Sequence, residues 1–241
     1  MNGIFIFGIC ISFVLLYLLI TKKRPRCTPS LHKAITPEST IIAFDIHGVL
    51  FNPDWKKIGG LVWRNKKAWS LFIYLFNPRF VYDFFILLKH GAVPEAFIMH
   101  FAHQYPYFAQ FKNLALAIAN TQKPIASMIN LLIALKSRGY TLHIFSNIGT
   151  VLYADLALTF PAIFCLFDAA CVPSATTNYH GKRHKKTFLA YLEQFNPTHK
   201  QIIFIDNNAR NIRTASRVGI VGIYYKNPTQ LKRVFEELKV L

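Results

Sequence analysis

The chain has 241 residues, 53% of them hydrophobic, with 28 Lys and Arg against 11 Asp and Glu and a formal net charge of +17. That length suits one α/β domain with a modest insertion, and the charge favours anionic partners such as acidic lipid headgroups or phosphate-bearing substrates. The basic residues are scattered and no zinc-finger, RNA-recognition or helix-turn-helix signature appears, so nucleic acid is not expected. Cys10, Cys27, Cys165 and Cys171 have neither metal-ligand nor redox spacing, which argues against a disulfide framework and fits a reducing compartment.

Residues Ile4 to Ile20, IFIFGICISFVLLYLLI, carry no charged side chain. At about 1.5 Å per helical residue they would nearly cross a hydrocarbon core of about 30 Å. Lys22, Lys23, Arg24 and Arg26 follow, and no Lys or Arg precedes. This asymmetry predicts a single-pass membrane anchor over residues 1–21 with the rest of the chain on the cytoplasmic side. A cleaved signal peptide is the competing reading, but it would have a basic start and a small-residue cleavage site. Residues 22–40, with Pro25, Pro29 and Pro37, read as a linker.

The stretch Ile41 to Phe51, IIAFDIHGVLF, then predicts a short buried strand ending at Phe44, tipped by Asp45 and closed by a turn at Gly48. Open α/β sheets gather ligands at the carboxyl ends of their strands, so a carboxylate at an apolar strand tip is a candidate functional group. A loop-capping Asp is the plain alternative. Between the Ile41–Phe51 stretch and Pro124 the composition becomes helical, aromatic and poor in acid, and Asn77, Pro78, Arg79 and Asp83 divide the apolar run Trp69 to Leu88 into two short helices. The aromatics Phe97, Phe101, Tyr105, Tyr107, Phe108 and Phe111 fit the packed interior of this helical segment, with a substrate pocket or a surface dipping into lipid headgroups as alternatives. His90, His100 and His103 lack a third ligand at a telling distance and read as structural or exposed.

A helix over Ile125 to Leu135 stops at Gly139, and the strand Tyr140 to Phe145 ends in Ser146 and Asn147. A short strand is expected near Phe167 to Val172. Gly181 and Lys182 precede a helix carrying Phe188 and Leu189, with Lys185 and Lys186 as competing cations. A second buried strand, Ile202 to Ile205, is tipped by Asp206 and Asn207 and followed by a helix with Ile212, Ala215 and Val218 inward. Ile220 to Tyr224 and a terminal helix close the chain.

In this order the four segments resemble the motifs of the haloacid dehalogenase-like (HAD) hydrolase superfamily, capped phosphatase-like subgroup, over roughly residues 40 to 225. The resemblance implies a Rossmann-like parallel sheet core, residues 41–53 and 125–241, with a helical cap inserted over 54–124. It also implies that Asp45 is a nucleophile and that Ser146 and Asn147 bind the transferring phosphoryl group with Lys182. Mg²⁺ would be held by Asp45, Asp206, the His47 backbone carbonyl and Asn207 through water. His47 stands where the superfamily usually has a second Asp as acid/base, and Asn207 where a second metal-side Asp is common. An imidazole with a pKa of about 6.5 can replace that acid, but two neighbouring cations would disfavour its charged form. Three readings follow: a membrane-anchored Mg²⁺-dependent phosphatase for a small phosphorylated substrate; a degenerate domain that binds without turnover; and a metal-independent haloacid dehalogenase.

Overall fold

The computed structural model describes residues 34–65, 76–90, 94–174, 181–196 and 198–241. The expected membrane segment, residues 1–21, and the first part of the linker lie outside these residues. Among the described residues no helix is long and apolar enough to cross a membrane.

Three apolar runs form the centre of the sheet: β1 (Thr40–Phe44), β4 (Thr141–Phe145) and β6 (Gln201–Asp206). All five β1 residues are buried, as expected of parallel strands covered on both faces. With β5 (Ala169–Cys171) and β7 (Val221–Tyr224) they make a five-stranded parallel sheet in the order β5-β4-β1-β6-β7. Each strand splits its side chains by twos. Ile42, Phe44, Leu142, Ile144, Ile203 and Ile205 point to one face, under α6 (Ala126–Ser137), α7 (Thr150–Thr159), α8 (Pro161–Phe164) and α11 (Pro228–Glu237). Ile41, Ala43, Phe145, Ile202 and Phe204 point to the other, under α9 (Lys185–Phe195) and α10 (Ala209–Ser216). The result is a three-layer α/β/α sandwich, the Rossmann-like parallel core expected from the sequence.

A second, antiparallel ribbon pairs β2 (Phe51–Pro53) with β3 (Gln122–Pro124) and gathers the two ends of the helical insertion. Its period is too short to read from sequence, and β3 takes the last three residues of the span expected to be helical. Between the strands lie α1 (Trp55–Arg64), α2 (Pro78–His90), α3 (Pro94–Gln104), α4 (Pro106–Ala109) and α5 (Lys112–Asn120). Phe80, Phe101 and Tyr105 form the insertion's own core, with Phe84, Leu87, Phe97 and Phe108 against it. The ring centroids of Phe80 and Phe101 are 4.5 Å apart, and those of Phe97 and Phe101 4.6 Å. Tyr105 donates its hydroxyl to Asp83 Oδ2 at 2.8 Å. The packed-interior reading of these aromatics therefore describes Phe97, Phe101, Tyr105 and Phe108; Phe111 is also buried, while Tyr107 is 48% exposed. His100 and His103 are exposed.

Besides the packing of Leu116 and Ala119 on the main core, a buried carboxylate ties the insertion to it. Glu95, in the first turn of α3, is 1% exposed, and its Oε2 accepts from the backbone N–H of Val151 at 2.9 Å and of Leu152 at 3.4 Å. Gly149 caps α7 with no side chain of its own, so Glu95, 56 positions before Val151, accepts from open amides of the first turn. Gly149 has φ +83°, and a Cβ there would lie 2.5 Å from Glu95 Oε2; both conditions call for glycine.

Candidate active site

The strand order reverses around β1, so the crevice beyond the carboxyl ends of β1 and β6 is where an open α/β sheet binds ligands. Phe44 lies opposite Ile205, and the Asp45 N–H donates to the Ile205 carbonyl at 3.0 Å. That register brings the next residues, Asp45 and Asp206, to one level although 160 residues separate them. Asp45 is 8% exposed and Asp206 fully buried.

Lys182 joins the two. Its side chain is 1% exposed, and Nζ stands 2.9 Å from Asp45 Oδ1 and 2.6 Å from Asp206 Oδ2, with a further bond to the Phe145 carbonyl at 3.1 Å. Its own backbone N–H donates to Asn147 Oδ1 at 2.9 Å, which fixes the segment before α9 against the end of β4. Lys185 and Lys186 are exposed in the first turn of α9, so burial singles out Lys182. Ser146, 1% exposed, donates from Oγ to Asp45 Oδ1 at 2.7 Å, and the Ile46 N–H reaches the same oxygen at 2.8 Å. These bonds all fall on Oδ1; among the described residues Oδ2 of Asp45 carries none.

Asp206 is held from its own side. Oδ1 accepts from the Asn208 N–H at 2.6 Å, and Oδ2 from Asn211 Nδ2 at 2.9 Å as well as from Lys182. Burial pushes its carboxyl up to about 6; Lys182 opposes this and the Asp45 charge adds to it. Burial alone would lower the Lys182 ammonium, but Asp206 and Asp45 outweigh it and raise it. The two directions agree physically: one cation shared by two carboxylates stays charged, and the second negative charge is the costly one.

His47 and Asn207 meet over the turn. Asn207 Nδ2 donates to the His47 carbonyl at 3.2 Å, and a Cβ on Gly48, whose φ is +74°, would overlap that amide nitrogen. The His47 ring has a lowered pKa, chiefly from burial, with the Asp45 charge opposing and Lys182 adding to it. Its Nε2 is buried with no hydrogen-bond partner. The neutral imidazole is therefore the form this pocket favours.

The sequence-expected residues Asp45, His47, Ser146, Asn147, Lys182, Asp206 and Asn207 thus share one crevice. The Phe145 carbonyl and the Asn208 amide join them as backbone groups with no sequence signal. Glu95 carries no signal either, since an acid opening a helix is ordinary. Among the described residues no cluster of three or more His, Cys, Asp or Glu side chains could hold a metal. Two carboxylates and the His47 carbonyl nevertheless form an all-oxygen set, which fits a hard cation that keeps waters and takes further oxygens from a phosphate.

The chain matches the family model of haloacid dehalogenase-like hydrolases over residues 40–219 and belongs to that family. No curated protein sequence matches it. Among solved structures it is similar to L-2-haloacid dehalogenase from Xanthobacter autotrophicus, at 15% identity and a TM-score of 0.52, covering 78% of this chain and 76% of that one. It is also similar to a HAD family enzyme from Bacteroides thetaiotaomicron in complex with magnesium and inorganic phosphate, at 16% identity, TM-score 0.53, covering 78% of this chain and 94% of that one. A predicted HAD-like hydrolase from Porphyromonas gingivalis is 19% identical with a TM-score of 0.51, covering 81% and 97%. At these identities the likeness is one of fold.

Proposed function

We propose that the chain is a membrane-anchored phosphatase, dependent on Mg²⁺, that cleaves a small phosphate monoester through an aspartyl-phosphate on Asp45. The observation that carries this reading is the arrangement of Asp45, whose Oδ1 is occupied by Ser146, Lys182 and the Ile46 amide while Oδ2 is left for attack. Asp45 Oδ2 forms the new bond to phosphorus as the bond to the leaving oxygen breaks. Ser146 Oγ and Lys182 Nζ, already at the Asp45 carboxylate, bind the phosphoryl oxygens, and water then releases phosphate and restores the carboxylate. Asp45, Asp206 and the His47 carbonyl would hold Mg²⁺, with Asn207 through water once its amide leaves that carbonyl. Bound there, the ion would supply charge compensation between an anionic substrate and an anionic nucleophile. The helical insertion serves as the cap over this site, and the basic domain lies on the cytoplasmic face of an N-terminal anchor.

The burial of His47 favours a second reading. A neutral imidazole with an unpartnered Nε2 has no extra proton to give a leaving group, so turnover is slow or confined to good leaving groups, or the site binds phosphorylated ligands without hydrolysing them.

The test is phosphate release by the full chain from a panel of phosphate esters, with Mg²⁺ and with chelator, beside Asp45→Asn and His47→Asp. Mg²⁺-dependent release that Asp45→Asn abolishes is expected, and His47→Asp should raise it by about 10²- to 10⁴-fold toward poor leaving groups. No release from either the parent or His47→Asp would overturn the phosphatase. Chelator-resistant halide release from a 2-haloacid would establish a dehalogenase instead.

A further inference from the structure

The two helical layers that cover the sheet carry their charge differently. In the layer of α6, α7, α8 and α11 every Lys or Arg within a helix has a carboxylate partner: Lys136 meets Asp168 at 2.9 Å, Lys232 meets Glu236 at 3.8 Å and Arg233 meets Glu237 at 2.9 Å. In the layer of α9 and α10, Lys185, Lys186, Arg210, Arg213 and Arg217 are exposed, and among the described residues none of them meets a carboxylate. Glu193 is the one acid of these two helices.

The arginines of α10 form one stripe. Arg210, Arg213 and the capping Arg217 follow at i, i+3 and i+7, within about 60° of one another around the helix and over about 10 Å of its axis. They lie opposite Asn211, Ile212 and Ala215, which are buried toward β6 and β7. α9 packs beside α10, and its Lys186 lies opposite the buried Phe188 and Tyr191, with Lys185 exposed next to it. Neither helix gains from this placement. Arg210 with Arg213, and Arg213 with Arg217, are like charges at neighbouring helical positions, and Lys185, Lys186 and Arg210 sit in first turns, where the helix dipole disfavours a cation. A stripe of repelling charges that no carboxylate relieves suits an anionic surface.

We infer that the α9–α10 layer docks on an anionic lipid surface through Arg210, Arg213 and Arg217 together with Lys185 and Lys186. Acidic headgroups attract basic residues within a screening length of about 10 Å in 0.1 M salt. Lipid is favoured over other polyanions by where the chain enters the fold, an argument that rests on the membrane-segment reading of residues 1–21. The chain reaches β1 through Ser39, whose carbonyl accepts from the Gln201 N–H at 2.8 Å beside Lys200. α10 runs from the crevice to this same end of the sheet, where Arg217 closes it. Residues 22–33, at about 3.3–3.6 Å each, reach at most roughly 40 Å, well beyond the about 10–12 Å thickness of one helix layer. The tether therefore allows this layer to lie on the bilayer and keeps it there at high effective concentration. Docked so, the carboxyl edge of the sheet, where α9 and α10 both start, holds the crevice at the bilayer surface.

Two exposed leucines report on the two layers: Leu189 on α9, 46% exposed, and Leu158 on α7, 81% exposed. The full chain is reconstituted in phosphatidylcholine vesicles with and without about one-third phosphatidylserine, and oxidation by hydroxyl radicals is read at each leucine by mass spectrometry. Anionic vesicles should lower oxidation of Leu189 severalfold and leave Leu158 unchanged, and high salt should reverse the protection. Arg210→Gln/Arg213→Gln/Arg217→Gln, all exposed positions, should abolish it, since each basic residue is worth about fivefold near an anionic surface. Equal oxidation of Leu189 in both vesicle types would overturn the inference. So would equal protection of both leucines, which means no preferred face, or protection that tracks protein density in neutral vesicles, which means a contact between copies. Stronger protection by single-stranded poly(U) than by phosphatidylserine would assign the face to nucleic acid instead. Flotation after alkaline extraction tests the membrane segment separately. A chain that fails it is footprinted with excess anionic vesicles added from outside, so the face is judged whether or not the anchor holds.

Discussion

Lys182 and Phe101 are each almost wholly out of water, at 1% and 0% exposure, and they organise two regions by opposite means. Around Lys182 the polar neighbours are specified by charge and donor geometry, two carboxylates and a carbonyl on the ammonium with a serine and two asparagines bonded around them, and the rings of Phe204 and Phe145 close the apolar side at 5.2 and 6.0 Å. Around Phe101 the neighbours are rings at several angles, tilted against Phe80 and Phe97 and stacked on Tyr105. A charged cluster tolerates no missing partner, because what remains is an uncompensated buried charge. An aromatic cluster is held by shape and area, so it accepts near-isosteric changes and fails by leaving cavities.

The largest expected effect breaks the first region. Lys182→Met fits the volume but leaves Asp45 and Asp206 facing each other, and should lower stability at pH 7 by about 3–5 kcal/mol in urea unfolding. Unchanged stability would show that water already compensates the carboxylates. Phe101→Ala should cost about 3 kcal/mol, confined to the insertion. Hydrogen exchange would then accelerate through α2 to α4 and leave β1, β4 and β6 protected, whereas Phe101→Leu should restore most protection. Uniform acceleration across the sheet would mean that the two regions do not unfold separately.

Glu95 sits on the seam, so it sharpens the comparison. Removing its carboxylate in Glu95→Ala should cost about 1–2 kcal/mol, as lost caps do, and speed exchange at the Val151 and Leu152 amides. Glu95→Gln keeps an acceptor oxygen and should lose less. Protection at Val151 and Leu152 unchanged in the alanine variant would remove Glu95 from the joint.

The smallest effect concerns a titrating group away from the crevice. His143, in β4, is 5% exposed with Nδ1 2.9 Å from the Tyr191 hydroxyl, and Tyr191 and Phe195 meet its ring edge-on. Burial lowers its pKa below 6.5; Asp168 opposes this and Lys200 adds to it. The unfolded chain takes up the proton first as pH falls, so the contribution of this group is present above about pH 6.5 and is lost as pH drops toward the folded value. The unfolding midpoint should therefore decline below pH 6.5 more in the parent than in His143→Gln. Parallel curves would assign the decline to other groups.

Much of the core was legible because its strands are continuous apolar runs ended by a single carboxylate, a pattern that local burial and turn chemistry impose on Ile41 to Asp45 and on Ile202 to Asp206 alike. The crevice itself was expected only because the segments carrying Asp45, Ser146, Lys182 and Asp206 resemble, in that order, the motifs of the haloacid dehalogenase-like superfamily. Strand adjacency was not legible: β1 meets β6 across 160 residues through backbone bonds that every residue type can make. Nor does sequence separate Lys182 from Lys185 and Lys186, since three neighbouring lysines differ only in which one the start of α9 turns inward between the two carboxylates. The Asn207 bond to the His47 carbonyl and the Glu95 cap on α7 belong to the same group. Local sequence determined the strands, their carboxylate tips and the apolar faces, because those depend on near neighbours; tertiary structure alone decided which polar groups meet and which aromatics stay in water, because those depend on distant backbone brought into register.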